Sequence, residues 1–278
     1  RVDHAITSYR LLTATSTKEA RPLAEELDAR NRQRRVQTQA VVKRAKEQVE
    51  DSFADFAILI VGGMGYETGV LGLAASKLVE EYYKPAIVFS KGPEVTRASA
   101  RSVPEFDIIA ALQECSDLFI RYGGHSQAAG FVINNHNLEL LSTRLRSIAK
   151  KQIGELNLQP AINIDIELPL NEIEKRLIKF VRLLEPVGQG NPRPIFLSRG
   201  VEVLDPKHIG SDGLHMRLKL RDRASVWNAI AFHLGDRLNE LTPVIDVVYH
   251  LKINKWQGLE RLELSLLDFM SNTALNRG

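Results

Sequence analysis

Three segments beyond residue 160 alternate apolar and polar side chains with a period of two: INIDIEL at 162–168, LHMRLKL at 214–220 and LELSL at 262–266. Successive side chains of a strand point to opposite faces, so this pattern buries one face and wets the other. A chain that repeats it must build half-buried antiparallel strands. VWNAIAF at 226–232 and VIDVVYHL at 244–251 add two more strands, and a helix over 170–184 interrupts the run. Their number and spacing fit a small closed β-barrel of the OB type.

The first part of the chain obeys a different rule. FAILIV at 56–61, closed by Gly62 and Gly63, and PAIVF at 85–89 are short unbroken apolar runs, with a helical pattern over 69–82 between them. A strand, a crossover helix and a strand make a βαβ unit, which predicts a parallel or mixed α/β sheet. Residues 106–115 read as a helix, 131–133 as a strand and 138–153 as an amphipathic helix closing the domain. Ahead of the sheet, 16–49 contains no Gly, and its only Pro is Pro22, near the front where a first helical turn tolerates it. This is a long helix. Its basic run, Arg30, Arg32, Arg34 and Arg35, is either a solvated face or a nucleic-acid contact. Composition shifts over 154–160, which divides the chain into a helical segment (1–50), an α/β domain (51–156) and a barrel domain (157–278).

Composition excludes several classes. With 44% hydrophobic residues in 278, the chain can bury two cores. The net charge of +3 is too small to prove a polyanionic partner, so local clustering has to decide. A single cysteine, Cys115, rules out an intrachain disulfide and a cysteine-rich zinc site and suits a reducing cytoplasm; its neighbours read as a helix face, so it belongs to the core. No apolar run approaches the roughly 18 residues of a membrane helix. The chain opens on Arg1 rather than Met, and we expect it to be a fragment.

Two passages carry the chemistry. In RYGGHSQAAG at 121–130, Gly123 and Gly124 can aim successive N–H groups into one concavity and hold a phosphate, to which His125 could donate; the alternative is a tight strand-to-helix turn with a satisfied histidine. In RASARS at 97–102, Arg97, Ser99 and Arg101 fall on one strand face, a cradle for a phosphodiester or else an edge strand with solvated arginines. In the barrel, Lys207, His208, His215, Arg217, Lys219, Arg221 and Arg223 gather on two strands and a loop, with Trp227, Tyr249 and Trp256 as stacking candidates. Trp227 reads as core and Trp256 as a hairpin residue, while Arg217, Lys219 and Arg221 share one face suited to backbone contacts.

These passages, in this order after FAILIVGG and GVLGLAAS (69–76), resemble the DHH-associated domain of RecJ-like exonucleases; LEPVGQGNPRPIF (184–196), WQG (256–258) and LELSLLDF (262–269) resemble the start and end of that family's OB domain. The resemblance implies the C-terminal, substrate-binding part of a single-stranded-DNA 5′-to-3′ exonuclease of repair and recombination, in a bacterial cytoplasm. Residues 1–50 then connect to a DHH domain that holds Mn2+ or Mg2+ and that this chain lacks, so no metal is expected here and the chain alone should be inactive. Asp3-His4 is a lone dipeptide, too few ligands for such a site. The resemblance assigns substrate positioning and transition-state stabilisation to His125, and phosphate or DNA contacts to Arg97, Ser99, Arg101, Ser102, Gly123 and Gly124. It further implies a monomer, with single-strand-binding protein as a partner. A non-catalytic DNA-binding or scaffolding member of the superfamily is the alternative. Glu67-Thr68 and Ala98 depart from the family's pattern, which usually has a His and Pro before Gly69-Val70 and a glycine at 98.

Overall fold

The computed structural model describes residues 5–51, 56–210, 212–256 and 259–271. The chain divides into two compact units, one reaching to Pro160 and the other starting at Ala161.

In the first unit, α1 (Ile6–Thr13) precedes α2 (Thr17–Asp51), a helix of 35 residues. Only Val41 and Ala45 of α2 are buried, and two of the four arginines of its basic run are answered within the helix, Arg30 by Glu26 and Arg32 by Asp28 at i,i+4 spacing. The solvated-face reading of that run accounts for these pairs. Gln48 ties α2 to the sheet: its amide accepts from the Gly62 N–H at 2.9 Å and donates to the Gly62 carbonyl at 3.0 Å. Those two bonds satisfy an edge strand that no other strand covers.

The sheet consists of β1 (Leu59–Met64), β2 (Ala86–Lys91), β3 (Val95–Arg101), β4 (Phe119–His125) and β5 (Ala128–Asn134), in the order β1-β2-β3-β5-β4. β1 and β2 are parallel, joined by α3 (Leu71–Tyr82), and the other pairs are antiparallel, which gives the mixed sheet expected. α3 buries Leu71, Ala74, Ala75 and Leu78, one helical stripe, against Leu59, Val61, Ala86 and Val88. Each fully buried leucine contributes about 1.5–3 kcal/mol. On the opposite face, α4 (Ile108–Gln113) and α5 (Leu138–Ile153) cover Ile87, Ala98, Ala100, Phe131 and Ile133. Cys115 sits in that core, where burial pushes its thiol pKa up.

The second unit holds β6 (Ile166–Glu167), α6 (Lys175–Leu183), β7 (Phe196–Ile209), β8 (His215–Asp222), β9 (Ser225–Ala231), β10 (Val244–Trp256) and β11 (Leu259–Ser271). Pairing runs β7-β8-β9-β11-β10 and returns from β10 to β7, closing a five-stranded barrel with β9 and β11 parallel. This is an OB-type barrel. Its interior is the buried half of the period-two pattern: Met216, Leu218 and Leu220 from β8, Val247, Tyr249 and Leu251 from β10, Leu264 and Leu266 from β11.

Two expectations about this unit fail. The strand expected over 162–168 shrinks to β6, because Ile162, Ile164 and Ile166 are 37%, 43% and 49% exposed and only Ile166 and Glu167 find a partner, on β7. Alternation without a neighbour to bury against does not make a strand. Conversely β7, 14 residues long, stands where no strand is expected, because Gly200 and Pro206 interrupt its apolar pattern. Gly200 takes a φ of 62°, and the ladder to β8 shifts register between Leu204 and Lys207, around Pro206, which has no N–H to give.

Candidate functional site

α3 packs over β2 and the Arg101 end of β3. Beyond it, toward β5 and β4, the same face is open, and the register shows what stands there. Arg97 and Arg121 both pair with Val132, Ser99 and Gly123 both pair with Gly130, and Arg101 and His125 both pair with Ala128. Directly opposed residues share a face, so these make three parallel rows about 7 Å apart along the strands. The middle row, Ser99-Gly130-Gly123, is nearly devoid of side chains, while each outer row carries a cationic or proton-donating group at both ends.

The result is a trough of about 420 Å3, floored by Ser99, Gly130 and Gly123, flanked by Arg97 and Arg121, and walled by Thr68 and Leu71 at the start of α3. Arg97 and Arg121 are exposed and have no carboxylate partner among the described residues. Arg101 is half-buried; its guanidinium donates to the Ala100 carbonyl at 2.7 Å and lies against Gly72 of α3, where a Cβ would come within 2.7 Å of it. The exposed His125 accepts the Gln127 N–H on Nδ1 at 3.3 Å. A neutral ring held this way carries its proton on Nε2, the nitrogen left to donate outward.

Gly123, Gly124 and His125 lie on β4, an edge strand entering a hairpin to β5, and not in a loop. Successive amides of an extended strand face opposite edges, so the expected concavity of paired N–H groups does not form. The two glycines also differ. A Cβ on Gly123 would meet nothing within 4 Å, whereas one on Gly124, whose φ is 155°, would stand 2.3 Å from the Ala128 carbonyl oxygen and 2.5 Å from the Ala129 Cα. Gly124 lets β4 and β5 approach each other, and Gly123 keeps the trough open.

Ser102 leaves the phosphate set. It is 8% exposed and donates to the Phe106 carbonyl at 2.6 Å, on the face opposite Arg97, Ser99 and Arg101. Arg121 lines the trough, a residue outside the set expected from sequence although Arg121, Gly123 and His125 alternate as one strand face must.

In the barrel, Arg217, Lys219 and Arg221 do share the outer face of β8. Lys219 is paired with Asp205 at 2.9 Å, which holds the Asp205 carboxyl below its usual range, and Arg221 meets Glu202 through two bonds of 2.7 and 2.5 Å. Both acids come from β7, the strand without a period-two signal. Arg217 alone of the three has no carboxylate partner among the described residues. Tyr249 is no stacking platform: it is fully buried, shares a hydrogen bond with Ser198 at 3.0 Å, and burial pushes its hydroxyl pKa up to about 12. Trp227 packs on the barrel core and donates Nε1–H to the Leu170 carbonyl at 3.0 Å. The Trp256 side chain and Asp3-His4 lie outside the described residues.

Among the described residues no group of three or more His, Cys, Asp or Glu side chains could hold a metal ion, and no helix is long and apolar enough to cross a membrane.

Comparison with known proteins accounts for both units. A model of the DHHA1 domain matches residues 54–151, and a model of the RecJ OB domain matches 164–268. A protein of Bacillus subtilis strain 168 named single-stranded-DNA-specific exonuclease RecJ is 30% identical over 272 residues, 96% of this chain and 35% of its own length. The protein of that name from Thermus thermophilus is 27% identical over 278 residues, 100% of this chain and 39% of its own. The chain thus spans little more than a third of either relative. The crystal structure of RecJ from Thermus thermophilus in complex with Mg2+ superposes with a TM-score of 0.77 at 25% identity, over 97% of this chain and 41% of that one; the Mn2+ complex gives 0.75 at 25%, over 97% and 39%. An open-faced mixed sheet followed by an OB barrel, matched from end to end by proteins of one name, places the chain in the RecJ family, to which it belongs through a DHHA1 domain and a RecJ OB domain.

Proposed function

We propose that this chain is the single-strand-gripping part of a metal-dependent 5′-to-3′ exonuclease on single-stranded DNA, and that it binds DNA without cutting it when alone. One observation carries the reading: a side-chain-free row between two rows of cationic and donor groups, with Arg97 and Arg121 lacking carboxylate partners among the described residues. A polyanionic backbone fits such a trough, because guanidinium groups bind phosphate bidentately and glycine lets the strand lie close to the sheet. His125 donates from Nε2 to a nonbridging oxygen of the phosphate under attack, and Arg101, propped against α3, fixes the other side of that row. The relatives' name states the substrate, and two matching crystal structures hold Mg2+ or Mn2+. The described residues of this chain do not fit such ions. In this reading metal chemistry belongs to a DHH-type site outside them, and the part played by this chain is to hold, orient and stabilise.

The test is fluorescence anisotropy with an oligothymidylate over a range of salt, beside a cleavage assay in Mn2+. Affinity should fall with a log–log slope of about −0.7 per phosphate neutralised, and the oligonucleotide should stay intact. Binding indifferent to salt, or cleavage by this chain that His125→Ala abolishes, would overturn the reading.

A further inference from the structure

Among the described aromatic side chains on the barrel strands and their connections, Phe232 stands clear of the core. Phe232, directly after β9, is 48% exposed, whereas Tyr249, Phe196 and Phe269 are 0%, 2% and 4% exposed. It is not isolated. The His215 ring meets it edge-on, with centroids 5.3 Å apart and planes at 70°, and His233 meets His215 in turn at 4.9 Å and 88°. The His233 N–H donates to His215 Nδ1 at 3.1 Å, so a neutral His215 carries its proton on the other nitrogen. The Lys252 ammonium stands 5.7 Å from the Phe232 ring centroid. Two residues along β8 from His215, on the same outer face, is Arg217, whose partner across the ladder is Lys207. Lys207, Arg217 and Lys252 form no ion pair with a carboxylate among the described residues, unlike Lys219 and Arg221 farther along the same strand.

We propose that the Phe232–His215 pair is a base-stacking platform for single-stranded nucleic acid, and that Lys207, Arg217 and Lys252 hold the phosphates on either side of the stacked base. This deepens the proposed function and rests on it. Phe232 stays 48% exposed beside the imidazole and the Lys252 ammonium, and a base can stack on the exposed part of the ring whatever its identity. An exposed aromatic with one unpaired cation at its ring and two more paired across the β7–β8 ladder, two residues along β8 from His215, calls for a ligand that is apolar and flat at its centre and anionic at its rim. A nucleotide strand has that chemistry, whereas an acidic peptide matches only the rim. The platform also replaces Trp227 and Tyr249, both of which the barrel core consumes.

The experiment measures binding of the full chain to an oligothymidylate and to an abasic strand of equal length, for wild type, Phe232→Leu and Phe232→Ala, with melting temperatures as the check on folding. Loss of one stacked base should weaken oligothymidylate binding roughly 5- to 150-fold, leaving the salt slope unchanged. Abasic binding should match wild type. Arg217→Ala should instead weaken both ligands and make the slope shallower by about 0.7. Equal affinity of wild type and the Phe232 variants for oligothymidylate sinks the platform, and so does an equal loss on both ligands, which would mark the surface as a general anion patch. In either case Arg97→Ala still reports on the trough. If wild type binds neither strand, the platform and the proposed function fall together.

Discussion

Gly123 and Gly124 are adjacent, identical and opposite in purpose, so substituting each in turn separates the trough from the fold. At Gly123 a side chain enters open space above Gly130, and nothing lies within 4 Å of the new Cβ. Gly123→Val should therefore cost no stability and should add a few tenths of a kcal/mol, since a β-branched residue suits a strand better than glycine. It nevertheless fills the row between Arg97 and Arg121 on one side and Arg101 and His125 on the other. Lifting a phosphate off those groups removes one charge-assisted hydrogen bond of about 1.5–3 kcal/mol, so single-strand affinity should fall about 10- to 150-fold. At Gly124 the outcome inverts. A Cβ 2.3 Å from the Ala128 carbonyl oxygen forces β4 away from β5, and a φ of 155° strains any L side chain. Backbone strain and overpacking each cost about 1–3 kcal/mol, so Gly124→Ala should lose about 2–6 kcal/mol and lower the melting temperature of this unit by roughly 5–20 °C. Thermal unfolding followed by circular dichroism, paired with anisotropy on an oligothymidylate, reads both effects. Wild-type affinity in a folded Gly123→Val chain would refute the trough as the strand's path. A Gly124→Ala chain that melts with wild type would refute the packing argument.

Arg97→Ala and Arg121→Ala should each weaken binding about tenfold and make the salt slope shallower by about 0.7, whereas Ser102→Ala should leave affinity unchanged and destabilise by about 1–2 kcal/mol through its lost bond to Phe106; salt-resolved anisotropy and denaturant unfolding check these. The raised pKa of Tyr249 means the fold favours the neutral phenol, so its contribution is full below pH 10 and lost as pH climbs from about 10 to about 12. That amounts to about 2–3 kcal/mol, and Tyr249→Phe should abolish the stability difference between those two pH values in the barrel unit. Glu202→Gln and Asp205→Asn release Arg221 and Lys219 from exposed ion pairs worth at most about 1 kcal/mol. Both variants should stay folded and bind single strands more tightly, with a steeper salt slope. Asn accepts the φ of 50° that Asp205 adopts.

Much of the architecture is legible because periodicity is local. The buried runs at 56–61 and 85–89 and the alternation in β8, β10 and β11 each announce their element and the side that is buried. What escapes is what depends on pairing. The alternation at 162–168 is cleaner than that of β7, yet β7 is the strand and 162–168 is mostly not, because a strand needs a neighbour and the barrel had already closed with β10. The glycine-histidine passage shows the same limit. Its residue types point to a phosphate, but whether two glycines form a nest or a strand floor is settled by β5 lying alongside, which no local pattern contains.

Electrostatics follow the same rule. A net charge of +3 conceals two populations: arginines and lysines answered by acids, as along α2 and the β7–β8 ladder, and those the fold leaves unanswered. Sequence clustering ranks Arg217, Lys219 and Arg221 alike and gives the α2 run the highest density of all. Pairing reverses that order, because a cation whose field is cancelled by a carboxylate within about 3 Å has little left for a phosphate, and breaking the pair costs part of what the phosphate returns. The unanswered cations used in the two proposals fall in two places, Arg97 and Arg121 beside the trough of the first unit, and in the second Lys252 at the exposed Phe232 with Arg217 and Lys207 paired along β8 and β7. Each set lies next to a surface suited to the rest of a nucleotide, a floor without side chains in one unit and an exposed phenylalanine in the other. In the proposed reading it is these unpaired cations, more than the number of basic residues, that mark where the chain meets its strand.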